Sequence, residues 1–204
     1  MSRQPILTYL RKSEKPIFTT SEISALSGKS LSTVTQSLNH LSRNGLVLRV
    51  YRGVWVEVGS ASLSPYAAIP YLFNRQRAYV SFLSALHLYG IIEQIPQVIH
   101  LASTIHTRTI RTKLGVFSLH RLSPKFFRGF DWYKGQGSFL IASPEKALVD
   151  SLYLSACKKK QFGHFPELHF PNSFSFSKVN EFAESIPSNN IRSYVSKKIG
   201  ALLK

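Results

Sequence analysis

Six polar side chains recur along one stretch of the sequence at spacings that place them on a single face of a helix. Gln and Asn can pair bidentately with adenine and Arg with guanine, and small hydroxyl side chains near a helix start let the backbone approach phosphates. None of the six is acidic, so none would repel a phosphate. The pattern predicts a helix that reads base edges in a DNA major groove, through Ser32, Thr33, Gln36, Asn39, His40 and Arg43.

Basic residues near this helix, and a second group later in the chain, predict contacts to phosphates. Lys29 precedes the helix, and Arg49 and Arg52 follow it in a predicted wing. No acidic residue occurs between Glu93 and Asp131. That acid-free stretch predicts an additional phosphate-contacting surface, formed by Arg108, Arg111, Lys113, Arg121, Lys125 and Arg128.

The elements that must position the polar helix are three helices followed by a hairpin. A first helix is predicted over residues 5–12. A capping box formed by Thr19 and Glu22 starts a second helix, which Gly28 ends. Ser30 caps the third helix, whose apolar stripe consists of Leu31, Val34, Leu38 and Leu41.

The third helix ends at Asn44-Gly45, and two strand-like runs follow at residues 46–51 and 54–58. Arg52-Gly53 supplies the turn between them, which predicts a two-stranded hairpin. Helix, turn, helix and hairpin are the order of a winged helix-turn-helix domain. We therefore expect this domain over residues 1–60.

Beyond a predicted linker at residues 59–65, helical and strand-like segments alternate in an α+β pattern. Short helices are predicted over residues 66–73 and 81–89, and strands over 98–101, 116–119 and 138–142. Ser143-Pro144-Glu145 combines a cap, a first-turn proline and an early acid, which predicts a strong amphipathic helix. Helices over 175–185 and 191–203 complete a small α+β domain over residues 61–204, with C-terminal helices.

Composition limits the class of protein. The 204 residues include 26 Lys+Arg and 10 Asp+Glu, a formal net charge of +16, which favours a polyanionic partner. The single cysteine, Cys157, can form no internal disulfide. We expect a cytoplasmic protein, because no apolar stretch reaches the ~20 residues of a membrane span and no secretory signal is visible.

Enzyme and metal motifs are incomplete. Gly28-Lys29-Ser30 lacks the earlier glycine of a phosphate-binding loop, and Gly135-Gln136-Gly137-Ser138 lacks the closing glycine of a nucleophile elbow. His164 and His169 have no cysteine pair nearby. The carboxylates of Asp131 and Glu145 do not form a recognisable nuclease pattern. We therefore expect no catalytic residue, no metal and no cofactor.

Three stretches together resemble the AbiEi-type antitoxins of bacterial type IV toxin-antitoxin systems, in their transcriptional-regulator form. They are the N-terminal segment ending Arg52-Gly53-Val54-Trp55, the stretch of residues 79–90 followed by Gln94-Ile95-Pro96, and residues 142–150. The resemblance extends to about residue 155. Its family motif comprises Ser143, Pro144, Glu145, Lys146 and Asp150.

The resemblance implies a repressor that binds repeats in its own promoter on double-stranded DNA. It also implies that the C-terminal domain opposes a nucleotidyltransferase-like toxin encoded beside it, without a stable complex, and it supplies no catalytic residues. Spacing favours a structural role for the motif, because Lys146 and Asp150 stand four residues apart on a helix and can pair.

Two alternatives to the DNA-binding antitoxin remain open from the sequence. The first is a protein-interaction module that neutralises a toxin by direct binding and uses the winged helix as a scaffold. The second is a cryptic nuclease, which the absence of convergent carboxylates disfavours.

Overall fold

A computed structural model describes residues 4–59, 63–73, 77–135, 138–157, 162 and 165–202. The chain forms two compact units, Met1–Asn74 with Thr112–Gly115, and Arg75–Arg111 with Val116–Lys204. Residues 60–62 of the predicted linker lie outside the described residues. The domain division at residue 60 stays a prediction.

The first unit contains a winged helix-turn-helix, as predicted. Its three strands form one antiparallel sheet in the order β1-β3-β2, in which Ile17 pairs with Val56 and Thr19 with Val54. The elements are α1 (Ile6–Ser13), β1 (Ile17–Thr19), α2 (Thr20–Ser27), α3 (Leu31–Arg43), β2 (Val47–Tyr51) and β3 (Val54–Glu57). A 3-10 helix (Pro65–Ala68) and α4 (Ile69–Leu72) follow.

The predicted hairpin is confirmed as the antiparallel pair of β2 and β3, and a third strand that was not predicted, β1, pairs with β3. β1 is three residues long, too short to show an alternating pattern, and it becomes a strand by pairing with β3. The predicted helix over residues 66–73 is likewise divided between the 3-10 helix and α4, since Pro70 lies inside it and has no N–H to donate to the preceding turn.

Local signals explain where α2 and α3 begin and end. The Thr19 hydroxyl accepts from the Glu22 amide at 3.1 Å, and the Thr19 amide donates to the Glu22 carboxylate at 2.7 Å, which confirms the capping box. Gly28 ends α2 in the left-handed region at φ +65°. The Ser30 hydroxyl then accepts from the Thr33 amide at 3.2 Å, as its predicted capping role requires.

The apolar stripe of α3 packs into the core of the first unit, with one exception. Val34 and Leu38 are fully buried, and Leu41 packs against their cluster. Leu31, however, is 54% exposed, because it is the first residue of α3 and lies beyond the packed part of the stripe. The cluster also contains Ile6, Leu10, Phe18, Ile23, Val47 and Trp55.

The second unit is built on a six-stranded mixed sheet in the order β6-β7-β5-β4-β9-β8. Three of its strands overlap the predicted ones, and β4, β6 and β8 were not predicted. The strands are β4 (Ala78–Val80), β5 (Ile99–Ser103), β6 (Arg108–Thr112), β7 (Gly115–Arg121), β8 (Phe130–Trp132) and β9 (Leu140–Ala142).

Among the described residues of this unit, four α-helices accompany the sheet: α5 (Phe82–Leu88), α6 (Pro144–Ala156), α7 (Phe176–Glu184) and α8 (Asn189–Leu202). α6 begins as predicted, because the Ser143 hydroxyl accepts from the Lys146 amide at 3.2 Å. A 3-10 helix (Pro124–Phe126) connects β7 to β8. In the part of the chain that the structure describes, no helix is long and apolar enough to cross a membrane.

Candidate nucleic-acid interface

The six polar residues predicted to read bases do lie on one face of α3, here called the recognition face. Ser32, Thr33, Gln36, His40 and Arg43 are exposed, and Asn39 is half-buried. At about 100° per residue, Gln36, His40 and Arg43 fall within roughly 60° of one another around the helix axis. No Asp or Glu occurs anywhere in α3.

Several side chains of the recognition face are available to a ligand. Among the described residues, none forms a hydrogen bond with the side chain of Gln36, Asn39 or Arg43. Thr33 and His40 are partly engaged, since the Thr33 hydroxyl lies 2.9 Å from that of Ser30 and the His40 ring lies 3.2 Å from the Asn44 amide. The side-chain amides of Gln36 and Asn39 and the guanidinium of Arg43 are therefore free to form bidentate hydrogen bonds.

The turn between α2 and α3 holds the recognition face at a fixed angle. The Ser24 hydroxyl donates to the Lys29 carbonyl at 2.7 Å, across the turn that Gly28 makes possible. Gly28-Lys29-Ser30, which resembles an incomplete phosphate-binding loop in the sequence, forms this turn. Lys29 itself is half-buried, and its ammonium donates to the Gln4 carbonyl at 2.8 Å. That hydrogen bond limits how far the Lys29 ammonium can extend toward a phosphate.

The wing, which is the hairpin of β2 and β3, is hydrogen-bonded to the start of α2. The Thr20 amide donates to the Gly53 carbonyl at 2.9 Å, and the buried Trp55 indole donates to the Thr20 hydroxyl at 3.0 Å. The guanidinium of Arg49 lies 5.7 Å from the centre of the Trp55 ring. Arg49 and Arg52 are both exposed, so the wing carries two cations on a rigid support.

The acid-free stretch does not form one surface. Arg108, Arg111 and Lys113 lie on β6 and the turn after it, at one edge of the sheet, and the Arg121 amide donates to the Thr107 hydroxyl at 3.1 Å. Arg128 precedes β8, at the opposite edge, five strand spacings or roughly 24 Å away. All six cations, including Lys125, are exposed, but the structure groups only those near β6.

The family motif lies in the interior of the second unit. Lys146 and Asp150 form the predicted ion pair, and both side chains are fully buried. Asp150 also accepts from the Ser81 hydroxyl at 2.7 Å and from the Tyr79 hydroxyl at 3.0 Å. These four residues, the buried polar cluster, join α6 to β4 and to the start of α5.

The electrostatics of the buried polar cluster are those of a desolvated ion pair. Burial lowers the pKa of Lys146 and raises that of Asp150, and the attraction between the two charges opposes both shifts. The ammonium also lies 3.5 Å from the centre of the Phe126 ring. Burial and the bond to Asp150 raise the pKa of Tyr79. A cluster so enclosed can position elements but cannot reach a macromolecular ligand.

The remaining motif residues have similar structural contacts. Ser143 caps α6, and the carboxylate of the buried Glu145 accepts from the Ser175 amide at 3.2 Å. Asp131 is exposed and bonds to the Trp132 amide instead. The two carboxylates of the nuclease alternative therefore have separate roles.

The two histidines considered as metal ligands in the sequence are not seen to form a site. His169 is exposed, and His164 lies outside the described residues. Gln136 and Gly137, from the incomplete nucleophile elbow, also lie outside the described residues. A pair that the sequence did not indicate is His100 and His120, whose rings lie 3.1 Å apart, nitrogen to nitrogen, beside Phe82 and Phe162. Burial lowers the pKa of His100 to about 4. No group of three metal-ligating side chains occurs among the described residues.

Comparison with models of protein families gives a match to the N-terminal segment. Residues 5–58 match the model of a family described as transcriptional regulator, AbiEi antitoxin. The match spans the elements from α1 to β3 and confirms the resemblance seen in the sequence for this segment. No curated protein matches the chain.

Proposed function

We propose that this protein is a DNA-binding antitoxin that represses its own operon in the cytoplasm. The observation that carries the proposal is the recognition face, an exposed, carboxylate-free helix surface within a segment that matches AbiEi antitoxin transcriptional regulators. Side chains able to form bidentate bonds to bases are free on this face, which is the requirement for direct readout.

In this proposal α3 lies in the major groove and the wing contacts the adjacent backbone. Gln36, Asn39 and Arg43 read base edges, and Ser32, Thr33 and His40 make closer polar contacts. Arg49 and Arg52 neutralise phosphates, and Lys29 contributes less because its ammonium already binds the Gln4 carbonyl. No metal, cofactor or catalytic step is part of the role.

Mobility-shift titration of the upstream region of the protein's own operon tests the readout. We expect Gln36→Ala to bind this DNA about 5- to 150-fold more weakly, which corresponds to the roughly 1–3 kcal/mol of one bidentate base contact. Affinity for scrambled DNA should stay the same. Gln97→Ala, at an exposed glutamine of the second unit, is the matched control. Equal binding to both DNAs by the unaltered protein would refute sequence-specific repression.

Salt dependence tests how many cations meet phosphates. Two phosphate contacts, from Arg49 and Arg52, predict a slope of log affinity against log salt of about −1.8. Engagement of the four cations near β6 as well would steepen the slope to about −5. Arg121→Ala should then weaken all sequences alike, and a sequence-selective loss would contradict a phosphate contact there.

The second part of the proposal is that the protein counters a nucleotidyltransferase-like toxin without forming a stable complex. Co-expression with the product of a neighbouring toxin gene should restore growth, and the two proteins should not co-purify. A stable stoichiometric complex formed without DNA would instead favour the protein-interaction alternative, in which the toxin is neutralised by direct binding.

A further inference from the structure

A cavity of about 420 Å³ opens in the second unit, beside β8 and β9 and at the start of α6. Four of its lining residues are aromatic, and no role of this region follows from the DNA-binding proposal. We call the four rings that line it, Tyr89, Phe130, Trp132 and Tyr133, the aromatic pocket. Asp131 and Lys134 also line the cavity, and both are exposed.

Three of the four rings are held in place by the fold. Phe130 stacks on Tyr79 with ring centres 4.5 Å apart, and Tyr133 stacks on Phe139 at 4.9 Å. The Tyr89 hydroxyl donates to the Ala142 carbonyl at 3.1 Å. A Cβ at Gly135 would come within 2.5 Å of the Tyr133 ring, so a larger residue at this position would displace the ring. The pocket is therefore formed before any ligand arrives.

The fourth ring is available for contact. Trp132 is 59% exposed, and no other aromatic ring among the described residues packs against it. The backbone edge at this residue is occupied, because the Trp132 amide donates to the Asp131 carboxylate at 2.7 Å. A ligand would therefore meet an indole face and a carboxylate, rather than a strand edge open to β-sheet extension.

The wall of the cavity carries no net positive charge, since its charged residues are one acid, Asp131, and one base, Lys134, whereas the unit as a whole is basic. The second unit contains 17 Lys+Arg and 7 Asp+Glu, a net charge of +10. Two of those seven acids are Asp131, in the pocket wall, and Glu145, directly after Pro144 of the same wall. Burial raises the pKa of Tyr89, and the charges of Tyr133, Glu145 and Asp131 raise it further.

We infer that the aromatic pocket binds the guanidinium or ammonium group of an Arg or Lys side chain presented by a partner protein. Aromatic ring faces attract cations, best of all the face of Trp, and Asp131 supplies a carboxylate beside the exposed indole. A phosphorylated ligand would meet the carboxylate of Asp131. Lys134 is exposed and can keep its ammonium in water. This inference stands independently of DNA binding.

Fluorescence can isolate the pocket, because the chain has two tryptophans and Trp55 is 1% exposed. In a Trp55→Phe variant, Trp132 is the sole reporter. We expect N-acetyl-arginine amide to change its emission saturably. N-acetyl-citrulline amide, which has the same shape without the charge, should leave the emission unchanged.

Substitutions measured by NMR titration of the full chain complete the test. Trp132→Ala should weaken binding of the arginine probe about 2- to 30-fold, the range of one cation–π contact. Trp132→Phe should retain part of the affinity, and Asp131→Asn should weaken binding and flatten its salt dependence. Ile95→Ala, at a residue that is 73% exposed elsewhere in the unit, is the control and should change nothing.

Three results would overturn the inference. They are an equal response to citrulline and arginine probes, unchanged affinity in Trp132→Ala, and saturable quenching by oligothymidylate in place of arginine. The last result would identify the pocket as a base-stacking site. Operator binding by the Trp132→Ala variant, measured in parallel, separates failure of this inference from failure of the DNA-binding proposal.

Discussion

Replacing Lys146 with Met is the perturbation that most directly tests the buried polar cluster. Met keeps the aliphatic length of the side chain and its contact with Phe126, but it removes the ammonium that pairs with Asp150. The carboxylate would then retain only the hydroxyl donors of Ser81 and Tyr79. A buried carboxylate that has lost its cation strongly destabilises the folded state.

The expected cost follows from the burial of both partners. Breaking a fully buried ion pair destabilises a protein by about 3–5 kcal/mol, a large part of a total stability of roughly 5–15 kcal/mol. Asp150→Asn should cost a similar amount, because it leaves the ammonium buried over Phe126. The double variant should cost about 2 kcal/mol or more below the sum, since neither charge then remains unpaired.

Urea unfolding at neutral pH, followed by far-UV circular dichroism, measures these differences. Affinity for operator DNA should be unchanged in all three variants under native conditions, because the recognition face lies in the other unit. A cost below about 1 kcal/mol for Lys146→Met, or strictly additive costs in the cycle, would refute the coupling. Loss of toxin neutralisation at unchanged stability would instead give the motif a direct functional role.

Two further predictions concern the second unit. The pKa of His100 falls from 6.5 to about 4 on folding. Between these pH values the unfolded state therefore binds more protons than the folded state. The free energy of unfolding should thus decrease by up to about 3 kcal/mol as the pH falls from 6.5 to 4. His100→Gln should flatten that dependence in pH-resolved urea unfolding, while His106→Gln, at an exposed histidine, should not; equal slopes would exclude His100 as the cause. Gly129→Ala should destabilise by about 2 kcal/mol or more, because φ is +78° and the new Cβ would come within 2.6 Å of the Phe182 ring. Gly200→Ala in α8, with nothing within 4 Å, should instead stabilise by about 0.5–1 kcal/mol in thermal unfolding; the same sign in both variants would refute the steric account.

The first unit was largely predictable because its signals are local. The capping box of Thr19 and Glu22, the left-handed Gly28 and the Ser30 cap each depend on residues at most three positions apart. β1 could not be predicted in this way, since its partner strand β3 lies more than thirty residues later. The exposure of Leu31 depends on where the core ends, which periodicity does not specify.

In the second unit, sequence separation determined what could be predicted. The pairing of Lys146 with Asp150 follows from helical spacing, but Ser81 and Tyr79 join them across 69 and 71 residues. The His100–His120 pair requires the parallel register of β5 with β7, which no local pattern encodes. The acid-free stretch predicted one surface for the same reason, because the chain order does not show that Arg128 lies at the opposite edge of the sheet.

The helices α3 and α6 begin with the same signal, a capping serine, yet their polar residues serve opposite purposes. In α3 the apolar residues occupy one stripe, so the polar face is free for a ligand. In α6 even Lys146 and Asp150 are enclosed, and their hydrogen-bonding capacity is satisfied within the fold. We therefore expect any partner of the second unit to contact residues that the motif supports rather than the motif itself. The Ser143 amide donates to the Gly129 carbonyl at 3.0 Å, which ties the start of α6 directly to the wall of the aromatic pocket.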